Sequence, residues 1–203
     1  MKKMLSFLLC VLACDAFALG APRVGEFEIL GKTWFLVGLT NADELAGGVT
    51  VRNGTRLEMK VATDKVSPRR FRQMWLDAMA VAQGEATWST YEQEFDTFFN
   101  LVKAPLKQGD IVGFERTDSG VSVTINHYEH ANLAHGFLEM MVQSLTARIA
   151  PVPGVKQGLL GELPVDQQKQ LAKAFQQDEI SLQRISETSR WLRFPSKAQF
   201  SQL

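Results

Sequence analysis

The strongest constraint on how this chain can fold is the order in which its periodicities change between residues 57 and 161. Leu57-Glu58-Met59-Lys60-Val61 alternates apolar and polar, the pattern of a strand with one buried face. Ser67-Pro68 then opens a helical stretch, with Ser67 as N-cap and Pro68 at the first helical position. Phe71, Met74, Trp75, Ala78 and Met79 follow at spacings of three and four, one apolar stripe that Gly84 ends. Tyr91, Phe95, Phe98, Phe99 and Val102 give a second stripe, stopped by Pro105. Lys107-Gln108-Gly109-Asp110 leads into a hairpin, residues 111–117 and 121–126 about the turn Asp118-Ser119-Gly120. His135-Gly136 precedes a third apolar helix over residues 137–149. Pro151 and Pro153 close it before Gly158-Leu159-Leu160-Gly161. Strands, helices, a hairpin and helices in succession predict an α+β domain, not alternating βαβ units.

The flanks agree with this reading. Residues 26–30 and 32–39 predict two strands joined tightly at Gly31. The second is almost wholly apolar, as in strands covered on both faces. Residues 41–48 read as a loop, and Asn53-Gly54 as a turn. A last amphipathic helix begins near Pro164, with Leu171, Phe175, Leu182 and Ile185 on one face. The tail from Trp191 has no period.

The first residues read as an address. Lys2 and Lys3 precede an apolar run over residues 5–13, and Ala16-Phe17-Ala18 is a small-residue cleavage pattern. The run is too short to span a bilayer. The expectation is export, to a bacterial periplasm, with cleavage after Ala18. An alternative is a lipoprotein anchored at Cys14, since Val11-Leu12-Ala13-Cys14 loosely resembles that signal. Both cysteines, Cys10 and Cys14, lie in this segment. After cleavage at Ala18 no thiol remains for a disulfide, a nucleophile or a thiolate metal site. The 203 residues less the first 18 leave 185, the size of one domain over residues 19–203.

That mature chain holds 20 basic and 21 acidic residues, after removing Lys2, Lys3 and Asp15 from 22 of each. A near-neutral chain argues against nucleic-acid binding by phosphate neutralisation. Arg69, Arg70 and Arg72 form one basic patch at a helix start, read as a solvated face. No further apolar run is long enough for an integral membrane span. His127, His130 and His135 fall within nine residues, but their order is not the His-Glu-x-x-His helix pattern. Ser119 sits in a turn, not in a Gly-x-Ser-x-Gly elbow. Gly47-Gly48 lacks the Lys and Ser/Thr of a phosphate loop. No cofactor or metal is expected. The remaining clue is the aromatic and methionine content, enough to form a core or to line an apolar pocket.

Taken in order, Arg56-Leu57-Glu58-Met59, Val66-Ser67-Pro68, Lys107-Gln108-Gly109-Asp110, Val121-Ser122-Val123-Thr124-Ile125-Asn126 and Gly158-Leu159-Leu160-Gly161 resemble the bacterial chalcone isomerase-like domains. The resemblance covers about residues 26–175. It implies an antiparallel β-sheet covered on one face by a layer of α-helices, with an apolar ligand cleft between them. Enzymes of the family cyclise chalcones to flavanones with an arginine near the first strand, a threonine and tyrosine near the cleft, and an asparagine on a helix. This chain matches them poorly. The arginine motif is at best Leu19-Gly20-Ala21-Pro22-Arg23, Trp34 stands at the hydroxyl-bearing position, and the offset of Tyr91 from Phe95 does not suit the enzymatic one. No catalytic set is carried over. The resemblance implies an exported, non-catalytic protein that holds an apolar small molecule, a fatty acid or similar. Its ligand-binding residues would be Arg23, Trp34, Phe71, Trp75, Phe95 and Phe98. The alternatives are an isomerase with a rearranged site and a haem-binding or structural periplasmic protein.

Overall fold

The computed structural model describes residues 22–45, 48–177 and 179–193. The expected export segment, its cleavage site at Ala18, and Cys10 and Cys14 lie outside the described residues. In chain order the strands and helices are β1 (Arg23–Ile29), β2 (Lys32–Thr40), β3 (Asp43–Leu45), β4 (Gly48–Thr50), β5 (Arg56–Val61), β6 (Lys65–Val66), α1 (Pro68–Ala82), α2 (Glu85–Thr90) and α3 (Glu92–Phe99). There follow β7 (Leu106–Lys107), β8 (Ile111–Thr117), β9 (Gly120–Ile125), β10 (Tyr128–Leu133), α4 (Gly136–Thr146), α5 (Pro153–Leu159), α6 (Val165–Gln176) and α7 (Leu182–Ser189), then a 3₁₀ turn, Arg190–Arg193.

The main sheet has the order β1-β2-β5-β8-β9-β10, with every neighbouring pair antiparallel. Its register puts Phe27, Phe35, Val37, Leu39, Leu57, Met59, Val61, Val112, Phe114, Val123 and Ile125 on one face, all buried. Helices α1, α3, α4 and α5 supply the facing residues of that core. This is the α+β sheet with one helical layer that the resemblance implies. In addition, α6 packs on the opposite face over β1 and β2, where Leu171 and Phe175 meet Val24 and Leu36. Gly38 makes room for it, since a Cβ there would come within 2.9 Å of the Phe175 ring. This explains the nearly unbroken apolar run of β2: both its faces are covered. Beyond β2 the second face turns polar. Arg56 pairs with Glu58 and Glu115, and the buried Lys60 ammonium donates to the carbonyls of Phe175 and Gln177 at the end of α6. A cation there satisfies carbonyls that the helix leaves open.

Local chemistry accounts for most boundaries. The Ser67 hydroxyl accepts from the Arg70 N–H, the N-cap expected from the sequence, with Pro68 in the first turn. Asp118 and Ser119 make the two-residue turn between β8 and β9. Pro153 does not merely stop α4; it begins α5, because a proline at the first helical position loses no hydrogen bond. Two glycines of the Gly158-to-Gly161 motif then act separately. A Cβ on Gly158 would lie 2.2 Å from the Gly25 Cα, so α5 rests backbone to backbone on β1. Gly161, with φ +69°, ends α5 in a Schellman motif, Glu162 N–H to Gln157 O and Gly161 N–H to Gly158 O. The last amphipathic helix is in fact two. The Ser181 hydroxyl accepts from Arg184 N–H and starts α7 afresh, leaving Leu182 exposed, not on the Phe175 face. Where a loop is expected over residues 41–48, Asp43–Leu45 pairs with Gly48–Thr50 in a short antiparallel ribbon.

Candidate functional site

The two helical stripes meet under the sheet. Phe98 sits at the centre, with ring centroids 5.6 Å from Phe71, 5.5 Å from Trp75, 5.4 Å from Phe114 and 5.9 Å from Phe137, all edge to face. Phe95 reaches the same cluster through Phe137 at 5.5 Å. Four of the six residues expected to hold a ligand, Phe71, Trp75, Phe95 and Phe98, are thus brought together. They pack on one another and are buried. Edge-to-face aromatic pairs of this kind add about 0.5–1.5 kcal/mol each beyond area burial.

The cover over these rings is uneven. Helix α1 buries five side chains and ties to α4 through Gln83, whose amide donates to the Ser144 hydroxyl at 2.7 Å. Helix α2 buries none, has no side-chain cap, and α3 buries only Phe95 and Phe98. The outer layer of this segment is a stack: Trp88 on Phe95 at 4.3 Å and Phe95 on Phe99 at 5.8 Å. A segment with so few buried anchors is the part of the layer that opens most cheaply.

Arg23 lies elsewhere, and Trp34, half-buried against the same core, is well apart from it. Arg23 pairs with Leu39 across β1 and β2, and its guanidinium donates to the carbonyls of Leu159 and Ala42, both at 3.3 Å. Trp34 is five residues along β2 from Leu39, roughly 17 Å at the usual strand rise. Lys32 and Arg70 place their cations 4.5 and 4.7 Å from the Trp34 ring centroid, and its buried indole N–H has no hydrogen-bond partner. The structure therefore brings the aromatic four together and leaves Arg23 and Trp34 outside that group.

Sequence reasoning missed the buried polar centre. The Asp110 carboxylate accepts from Arg184 Nε at 2.9 Å and Nη2 at 2.5 Å, from Asn126 Nδ2 at 2.9 Å and from the Lys107 N–H at 2.8 Å. Gly109, with φ +84°, makes the turn that aims it. The bond to Asp110 raises the Arg184 pKa, and Arg184 lowers that of Glu187. A carboxylate with this many donors is a structural tie between the hairpin and α7, not a free acid or base. The cavity of about 410 Å³ beside it is lined by Gln108, Gln183 and Glu187 among others.

A groove of about 360 Å³ lies between the start of α1 and the end of α3, lined by Pro68, Arg69, Arg72, Phe99, Asn100, Val102 and Lys103. A smaller one, about 140 Å³, is walled by His130 and Trp191. Burial lowers the His130 pKa from 6.5 to about 4, and its Nε2 has no hydrogen-bond partner. Among the described residues no serine or threonine hydroxyl bonds to a histidine, and no three His, Cys, Asp or Glu residues cluster as metal ligands do. No described helix is long and apolar enough to cross a membrane.

No protein-family model matches this sequence, and the search of curated proteins finds no relative. Among solved structures, a fatty-acid binding protein of Arabidopsis thaliana is similar in fold. Its TM-score is 0.52 at 12 % sequence identity, over 76 % of this chain and 89 % of that one. At such low identity the likeness shows the fold alone: a mixed α+β architecture on a six-stranded antiparallel sheet, of the chalcone isomerase-like type.

Proposed function

We propose that this protein binds an apolar small molecule, a fatty acid or similar, between the sheet and the α2–α3 segment, and does not isomerise chalcones. The observation that carries this reading is the fold it shares with a fatty-acid binding protein. The rest agrees with it. The rings of Phe71, Trp75, Phe95 and Phe98 form an apolar bed under a segment with few anchors. Isomerisation needs an activated phenolate and donors at a developing enolate. Trp34 offers one indole N–H, and Arg23 is engaged far from it. The start of the chain supports export, with cleavage after Ala18.

Titration with a fluorescent long-chain fatty acid, alongside chalcone absorbance with and without protein, tests the proposal. Saturable binding with no chalcone loss above the spontaneous rate is expected. Chalcone turnover abolished by Arg23→Ala would instead establish the rearranged isomerase.

A further inference from the structure

The groove between α1 and α3 sets three cations against an apolar wall. Arg52, Arg56, Arg116 and Arg184 all face carboxylates within 3.4 Å. Around the groove stand three cations, Arg69, Arg72 and Lys103, and among the described residues none of them forms an ion pair. Arg72 is nevertheless held in place. Its Nη2 donates to Asn100 Oδ1 at 2.9 Å and to the Phe99 carbonyl at 3.4 Å, with the guanidinium 6.0 Å from the Phe99 ring centroid. Asn100 is fixed in turn by its amide, which donates to the Asp96 carbonyl and carboxylate. This leaves Nε and Nη1 of Arg72 without a hydrogen bond among the described residues, on a guanidinium already oriented.

The other wall is apolar. Phe99 and Val102 line the groove, and Phe99 stacks on Phe95 at 5.8 Å and meets Phe98 at 5.3 Å. The groove is therefore continuous, through touching rings, with the buried aromatic bed. Its volume of about 360 Å³ falls within the range of small-molecule sites. A bare inorganic anion would use the cations and leave the rings idle; a neutral lipid would do the reverse.

We propose that this groove is the head-group site for an amphiphilic carboxylate, whose charge Arg69, Arg72 and Lys103 hold while Phe99 and Val102 take its first methylenes. The proposal rests on the reading of the protein as a binder of apolar molecules and gives that ligand its polar end. A planar guanidinium fork suits a carboxylate, so Arg72→Lys should not substitute fully.

The test uses two probes of different length on the full chain. Octanoate, followed by amide chemical shifts, should saturably move Arg69, Arg72, Asn100 and Lys103, while methyl octanoate does not. Arg72→Gln/Lys103→Gln, two exposed positions, should weaken octanoate and a fluorescent long-chain fatty acid about tenfold. The long-chain methyl ester should bind the wild type and the double variant equally. Inorganic phosphate matching octanoate in affinity would make the groove a plain anion site and overturn the proposal. So would an unmoved groove, or a variant with unchanged affinity for both acids. If the long probe binds while the groove stays silent, the apolar-binder reading survives and the head-group site falls. If octanoate binds in the groove and no long-chain probe binds anywhere, the site stands and the broader reading falls.

Discussion

Arg184→Ala should be among the most damaging single substitutions in the chain, although Arg184 meets the aromatic core only at Trp191, 5.7 Å from its guanidinium. The Asp110 and Arg184 side chains are 2 % and 10 % exposed. Arg184 gives Asp110 two nitrogens, Nε and Nη2, and a third bond joins Nη2 to the Pro105 carbonyl at 3.1 Å. Removing the guanidinium leaves a buried carboxylate with only the Lys107 N–H and the Asn126 amide as donors. Breaking a buried pair from one side costs about 3–5 kcal/mol, because the remaining charge is uncompensated. The double variant Asp110→Ala/Arg184→Ala should cost clearly less than the two single variants summed, since it buries no orphan charge. Chemical denaturation gives the global loss. Amide exchange along α7 shows whether the helix detaches first. A loss under about 1 kcal/mol in both measurements for Arg184→Ala would refute the reasoning and make the pair an incidental surface contact.

Phe98→Ala removes the ring on which Phe71, Trp75, Phe114 and Phe137 all converge, and should cost about 3–5 kcal/mol in denaturation; an unchanged melting temperature would show that α3 is misplaced. Burial holds the His130 pKa at about 4 against an ordinary 6.5, so between these values the unfolded chain binds a proton that the native one does not. Stability is then whole above pH 6.5 and falls as the pH drops towards 4. The full difference is worth roughly 3 kcal/mol, cut to about 1 kcal/mol because the ring is only half-buried. His130→Gln should flatten the melting-temperature slope over that window, and a slope identical to wild type would count against it.

What was legible in the sequence was local. Ser67-Pro68 names its own helix start, Asp118-Ser119-Gly120 its own turn, and the stripes of α1 and α3 their own buried faces, because each needs only neighbours within a few residues. What was hidden depends on partners far along the chain. Lys107-Gln108-Gly109-Asp110 is visible as a motif, but its reason is Arg184, 74 residues after Asp110. The arginines at the start of α1 read as a solvated face because Phe99 and Lys103, which complete the groove, belong to another segment. Two breaks were obscured by signals with two meanings. Pro153 suits a helix start as well as a stop, and Leu182 continues the spacing from Phe175 across the Ser181 cap.

A filled interior and a binding function are compatible on magnitudes. Each buried methylene is worth about 0.8 kcal/mol, so a dozen of them return roughly 10 kcal/mol. Rings turned out of the bed cost about 1.5–3 kcal/mol each if they become fully exposed. The rings of the α2–α3 segment start part-way there: Trp88 and Phe99 are only half-buried, and only Phe95 and Phe98 are anchored. Rings that move aside and repack on the ligand lose less still, since the apolar contact is exchanged and not forfeited. The balance favours a long chain and disfavours a short one, whose few methylenes cannot offset the opening. It also gives the polar end its use. A charge held in the groove beside Phe99 adds affinity without opening the bed.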